Sequence, residues 1–178
     1  SILRTTKYGR KQLAITKILA AFTLFVVTFL VGITVHILIL DAAFGTDCLK
    51  TSFQMRYSII NLPNINLGQL QIILVAAGLL SVLATVSCTL FLSAKCKDTL
   101  TVLLISIVVL LMPLFAYVAM GATWLSTILP SAGIGMQNNF LYQLYGFNFL
   151  HIGDMSFWTP YIILISAALE IPVFGFLA

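Results

Sequence analysis

Ile18 to Leu40 reads ILAAFTLFVVTFLVGITVHILIL, an uninterrupted apolar run with no charged side chain and one His. A bilayer hydrocarbon core of ~30 Å takes about 20 such residues in a helix, so this stretch is long enough to cross. Three further runs match it. Residues 67–92 are entered by NLPNINLGQLQ and left at SAKCKD; residues 99–120 read TLTVLLISIVVLLMPLFAYVAM; residues 160–178 close the chain. An unpaired backbone group costs several kcal/mol in lipid, and spanning strands would show a shorter alternating pattern, so all four runs are expected as helices. The fold class expected is an all-α polytopic transmembrane bundle, read as one transmembrane domain over residues 1–178.

Composition agrees with that reading. Of the 178 residues, 61% are hydrophobic and 8% charged, and the mean hydropathy is +1.10. A soluble domain carries roughly 25% charged residues, and this chain has too few to cover a globular surface. A soluble fold, a disordered tail and nucleic-acid binding are excluded. Five of the nine basic residues, Arg4, Lys7, Arg10, Lys11 and Lys17, precede the first run with no acid among them. The loop 41–66 balances Lys50 and Arg56 against Asp41 and Asp47. The turn 93–98 carries Lys95 and Lys97, whereas 121–159 has no Lys or Arg. Basic residues stay on the cytoplasmic side, which places the N-terminus and the turn 93–98 inside and the two longer connections outside, in a plasma-membrane protein. The chain opens in a basic stretch and closes inside an apolar run, so it is read as part of a longer polypeptide.

Residues 121–159 are too apolar for a water-exposed loop, yet Pro130, Gly133, Gly135, Gly146 and Gly153 punctuate them too often for a straight span. Two short helices dipping into the outer leaflet are expected, with Trp124, Tyr142, Tyr145 and Trp158 at headgroup depth. The alternative is a segment lying on the membrane surface.

Few side chains can carry chemistry. Glu170 is the one acid inside an expected span, where an ionisable group is costly and marks a candidate functional site; alternatively it fills a polar gap between helices. His36 shares a helical face with Thr28 and Gly32, a small-and-polar stripe of the kind used for close helix packing in lipid. Ala77, Ser81, Thr85, Thr89 and Ser93 recur at four-residue spacing in the second run, as a helix-packing seam or a solute path lined with hydroxyls. No phosphate-binding loop, zinc motif or nucleophile elbow occurs, so no catalytic residue, metal site or cofactor is expected. Cys48, Cys88 and Cys96 fall in an outer loop, a span and an inner turn, too far apart to pair.

The opening SILRTTKYGRKQLAITKILAAF resembles the cytoplasmic segment that precedes the third span in permease subunits of exporter-type ABC transporters. There the pattern L-x-[ST]-[TS]-x-x-G-R-x-x-[IL]-x-x-x-K is common, and Leu3, Thr5, Thr6, Gly9, Arg10, Leu13 and Lys17 stand at its positions. The order that follows is also similar: a span, an outer loop, a span ending in a Ser-containing inner turn (FLSAKCKD), a span, an apolar re-entrant segment and a last span. The resemblance implies the last four of six spans, no ATP hydrolysis by this chain, ATP-binding-cassette ATPase subunits and a second permease copy or homologue as partners, and Thr5, Thr6, Gly9, Arg10, Lys11 and Lys17 as the ATPase-coupling segment. Arg10 and Lys11 could equally anchor to anionic lipid headgroups. A tetraspan scaffold and an intramembrane enzyme using Glu170 or His36 are the other classes the residues allow. The topology is tested by labelling single-cysteine variants in intact cells with an impermeant thiol reagent: Cys48 should react and Cys96 should not, and the reverse pattern would invert the orientation.

Overall fold

The computed structural model describes residues 9–54, 64–121, 123–134, 139–146 and 148–177. It is an all-helical membrane bundle built on four long apolar helices: α1 (Gly9–Phe44), α2 (Leu67–Lys95), α3 (Thr99–Val118) and, closing the chain, α6 (Thr159–Leu177). Between α3 and α6 lie the short helices α4 (Thr123–Ile128) and α5 (Asn139–Tyr145) and a two-stranded hairpin, β1 (Phe149–Ile152) and β2 (Met155–Trp158). A 3-10 turn, Thr46–Lys50, follows α1.

α1 starts earlier and ends later than the apolar run alone implies, because good helix formers flank it on both sides. Its 36 residues measure about 54 Å at 1.5 Å per residue, well beyond the ~30 Å hydrocarbon core. Thr16, Thr23, Thr28 and Thr34 each donate their hydroxyl to the carbonyl four residues back, at 2.7–2.8 Å. That internal bond lets a hydroxyl face lipid without an unpaired donor.

α2 has a reciprocal cap at its start. Asn66 Oδ1 accepts from the Gln69 N–H at 2.8 Å and Gln69 Oε1 accepts from the Asn66 N–H at 3.1 Å, which satisfies donors the first turn leaves open. Just before it, the Phe53 N–H bonds to Ile65 O and the Leu67 N–H to Thr51 O, at 2.9 and 3.0 Å. These bonds seat Phe53, fully buried, among Leu70, Ala77, Ala132, Phe140, Leu144 and Ile163 in the hydrophobic core. α2 and α6 share the broadest interface of the bundle, closed at its far end by Phe91 against Phe174, ring centres 5.8 Å apart.

The segment between α3 and α6 doubles back into the bundle. α4 packs on α3 and α6, and α5 packs on α6 and α2. Ser126, Thr127, Ser131, Ala132, Phe140, Gln143 and Leu144 are all buried. Two local features hold it there. Pro113 has no N–H, so the Val109 carbonyl loses the partner a regular helix would give it; the Ser131 hydroxyl donates to that carbonyl at 3.0 Å and lies 3.2 Å from Leu110 O. On the other side Gly133 lies against α2 so closely that a Cβ would fall on Ser81 Oγ and stand 3.2 Å from Ala77 O. Ser166 Oγ of α6 reaches Thr127 O at 3.3 Å, completing the enclosure.

The hairpin departs from the expected purely helical segment. Phe149 pairs with Trp158 and Ile152 with Met155, leaving Gly153–Asp154 as a two-residue turn with Gly153 at φ 60°. Gly-Asp between two short apolar runs is a hairpin signal, outweighed in the sequence by the apolar character of the whole stretch. Trp124 and Tyr142 are half-exposed at this end of the bundle, and Trp158 meets Tyr161 edge-on, centroids 5.3 Å apart.

The Ser131 bond yields a double-mutant test. Ser131→Ala should cost about 1–3 kcal/mol by stranding the Val109 carbonyl. In a Pro113→Ala background, where the helix supplies its own donor, the same change should cost less than half as much. Thermal melts of the four proteins in detergent measure the cycle; an equal cost in both backgrounds would assign the Ser131 effect elsewhere.

Candidate functional site

Two facing helix surfaces build a sizeable cavity. Phe29, Ile33, Ile37, Leu40 and Phe44 recur along one stripe of α1, and Leu67, Leu70, Leu74, Gly78 and Val82 along one stripe of α2. Spacings of three and four keep each set on one face. The helices run antiparallel and touch where Phe29 packs on Gly78, whose Cβ would stand 3.2 Å from the ring. Beyond that contact they diverge toward the loop end. The result is a partly open groove of about 430 Å³, floored by Gly133, Ile134, Phe140 and Leu141 of the re-entrant segment and roofed by Cys48 and Leu49.

Three polar side chains interrupt this apolar lining: His36, Asp41 and Gln71. None of the three side chains has a hydrogen bond or ion pair among the described residues. Lys50, the nearest cation along the described chain, is already paired with Asp47 at 2.9 Å, on the exposed 3-10 turn. Among the described residues no three His, Cys, Asp or Glu side chains come together as a metal site.

The other sequence candidates fall elsewhere. Glu170 lies on α6 about 16 Å from its first residue at 1.5 Å per residue, half-buried, with Oε2 enclosed and unpartnered. Glu170 and His36 therefore occupy separate places, α6 and the groove on the α1 side of α2. Ala77 and Ser81 are buried against Gly133; Thr85 and Thr89 are half-buried and Ser93 is exposed. The hydroxyls of Thr85 and Thr89 donate within α2, to Ser81 O and Thr85 O at 2.8 and 2.9 Å. Thr28 and His36 are exposed and nothing lies within 4 Å of a Cβ placed on Gly32, so no neighbour within the described chain packs on that stripe.

In the basic segment, Thr5 and Thr6 lie outside the described residues. Gly9, Arg10 and Lys11 form the first turn of α1, their side chains outside the description, as is that of Tyr145; Lys17 is exposed two turns on. Sequence reasoning did not find the groove, Asp41 or Gln71, because the signal lies in how two helices diverge rather than in either helix. Gln143, 1% exposed with both amide atoms unpartnered, was also missed; no periodicity distinguishes it from a surface Gln.

No family model, characterised protein or solved structure matches this chain. Its class rests on the fold: a multi-pass membrane protein with four helices long and apolar enough to span.

At Glu170, a Gln keeps the shape and hydrogen-bonding capacity of the carboxyl, whereas a Lys puts a longer cation costing ~2.5–3.5 kcal/mol at helix-centre depth into the α2–α6 packing. Glu170→Gln should give native yields of monodisperse protein on size-exclusion chromatography, and Glu170→Lys should aggregate or fail to accumulate. Equal behaviour of the two would show that position 170 is open to water rather than packed in the bundle.

Proposed function

We propose that this chain is the membrane-spanning permease subunit of an ATP-driven ABC export system. It forms the translocation path with a second permease copy or homologue, and separate ATP-binding-cassette subunits hydrolyse the ATP. The N-terminal end of α1 is cytoplasmic in the plasma membrane, in line with the five basic residues before the first span.

The observation that carries the reading is the continuity of α1. Gly9, Arg10, Leu13 and Lys17, the permease-like positions, are on the same unbroken helix as the first span. Coupling a nucleotide cycle to a membrane path needs a physical element that both sites bias, and a rigid helix reaching about 13 Å beyond the apolar run at its N-terminal end supplies one. α1 also stands to one side of the bundle: its principal helix neighbour is α2, and its apolar window is unburied. A push on its cytoplasmic end can therefore tilt it against α2 without repacking the α2–α6 core. The order of elements supports the same reading, since a re-entrant segment of short helices lies between the third and last spans.

Reversing two charges at the cytoplasmic end separates ATPase docking from lipid anchoring. Arg10→Glu with Lys11→Glu should reduce co-purification of the ATPase subunits, or transport-coupled ATP hydrolysis, about tenfold, corresponding to ~1.4 kcal/mol, while membrane insertion stays intact. Unchanged recruitment and coupling would remove this segment from the role.

A further inference from the structure

The groove between α1 and α2 has the makings of a ligand site with polarity along its length. At its deep end Phe29 packs on Gly78, and Val82, one turn further along α2, is also part of the lining. From Phe29 to Asp41 the α1 wall is apolar apart from His36, over about 18 Å at 1.5 Å per residue. At the loop end stands Asp41, whereas Gln71, about 10 Å from Gly78 at 1.5 Å per residue, lies partway along the α2 wall; neither side chain has a hydrogen bond or ion pair among the described residues. Asp41 is the single acid among the lining residues, and Lys50 is held by Asp47.

We propose that this groove binds a single-chain cationic amphiphile. Its alkyl chain lies between the α1 and α2 stripes, pointing toward Phe29, and its ammonium headgroup pairs with Asp41. Three observations select that chemistry over an ordinary membrane lipid. The headgroup end carries an acid, Asp41, with no ion pair among the described residues, which attracts a cation and repels a phosphate, and a charge pair partly shielded from water is stronger than one in solvent. One stripe of α1 faces one stripe of α2 across a volume of about 430 Å³, which suits one chain better than two. It is also partly open along its length, so a molecule dissolved in the bilayer can enter sideways without passing through water. The site stands whether or not the chain is a permease; with that reading, it identifies a class of cargo.

The test uses the groove's own Cys48 as reporter, in purified protein carrying Cys88→Ala and Cys96→Ser in phosphatidylcholine nanodiscs. The rate at which a water-soluble maleimide modifies Cys48 is followed against added dodecyltrimethylammonium or dodecyl sulfate, equal in chain length and opposite in charge. The cationic probe should slow the reaction saturably and the anionic one should not. Asp41→Asn should raise the half-protecting concentration about tenfold, or ~1.4 kcal/mol, and Asp41→Glu, which keeps the charge, should restore protection. Leu74→Trp, which fills the groove without touching its charge, should abolish protection and leave the unprotected rate in place. Equal protection by both probes, protection insensitive to Asp41→Asn, or no saturable protection would each overturn the site.

Discussion

A backbone carbonyl that cannot find a donor is among the costliest things to place in a bilayer, and Pro113 creates one. By removing the N–H that would bond Val109 O, it leaves a polar gap halfway along a helix whose other face is Leu, Val and Phe. Ser131 fills that gap from outside the helix. To do so, the chain leaving α3 must turn back into the bundle, and that return explains much of the rest. Pro130 and Gly133 flank the contact and make the turn. Gly133 can lie on Ser81 and Ala77 because it has no side chain, and the same segment floors the groove beside α1.

The resulting asymmetry has consequences for motion. α2, α6, α4 and α5 form a packed unit with a shared apolar core around Phe53, Phe140 and Ile163. α1 stands against one side of it, touching closely at Phe29 and diverging beyond. A long helix with one principal partner and a groove behind it can change its tilt at little cost in packing. A ligand in the groove would bias that tilt, and so would a partner at the N-terminal end of α1. In the proposed permease, groove and basic segment would be two ends of one lever, as coupling requires.

How much of this the sequence carries differs by element. The four spans are legible because lipid demands long apolar helices, and the runs 18–40, 67–92, 99–120 and 160–178 each fall within or closely on an observed helix. The apolar, Gly- and Pro-broken character of 121–159 indicates chain that neither crosses straight nor sits in water. The hairpin is less legible: Phe149–Ile152 and Met155–Trp158 are four-residue runs, too short for their alternation to stand out among so many apolar neighbours. The partners of Ser131 and Gly133 are invisible along the chain, since each contact joins residues more than twenty positions apart. Glu170 and His36 are visible as misfits in apolar surroundings. Asp41 looks like an ordinary loop acid until the divergence of α1 and α2 places it over a cavity.

Everything above depends on the re-entrant segment being packed on α2 rather than resting in the lipid beside it. Hydrogen–deuterium exchange across Trp124–Gly133, followed in nanodiscs for the native protein and for Ser81→Leu, tests this most directly. The Leu side chain occupies the place of Gly133 and should displace the segment, raising its exchange while leaving α3 as protected as before. Native exchange should be as slow as that of α6. Rapid exchange in the native protein, or exchange unchanged by Ser81→Leu, would contradict the packing on which the fold and the groove rest.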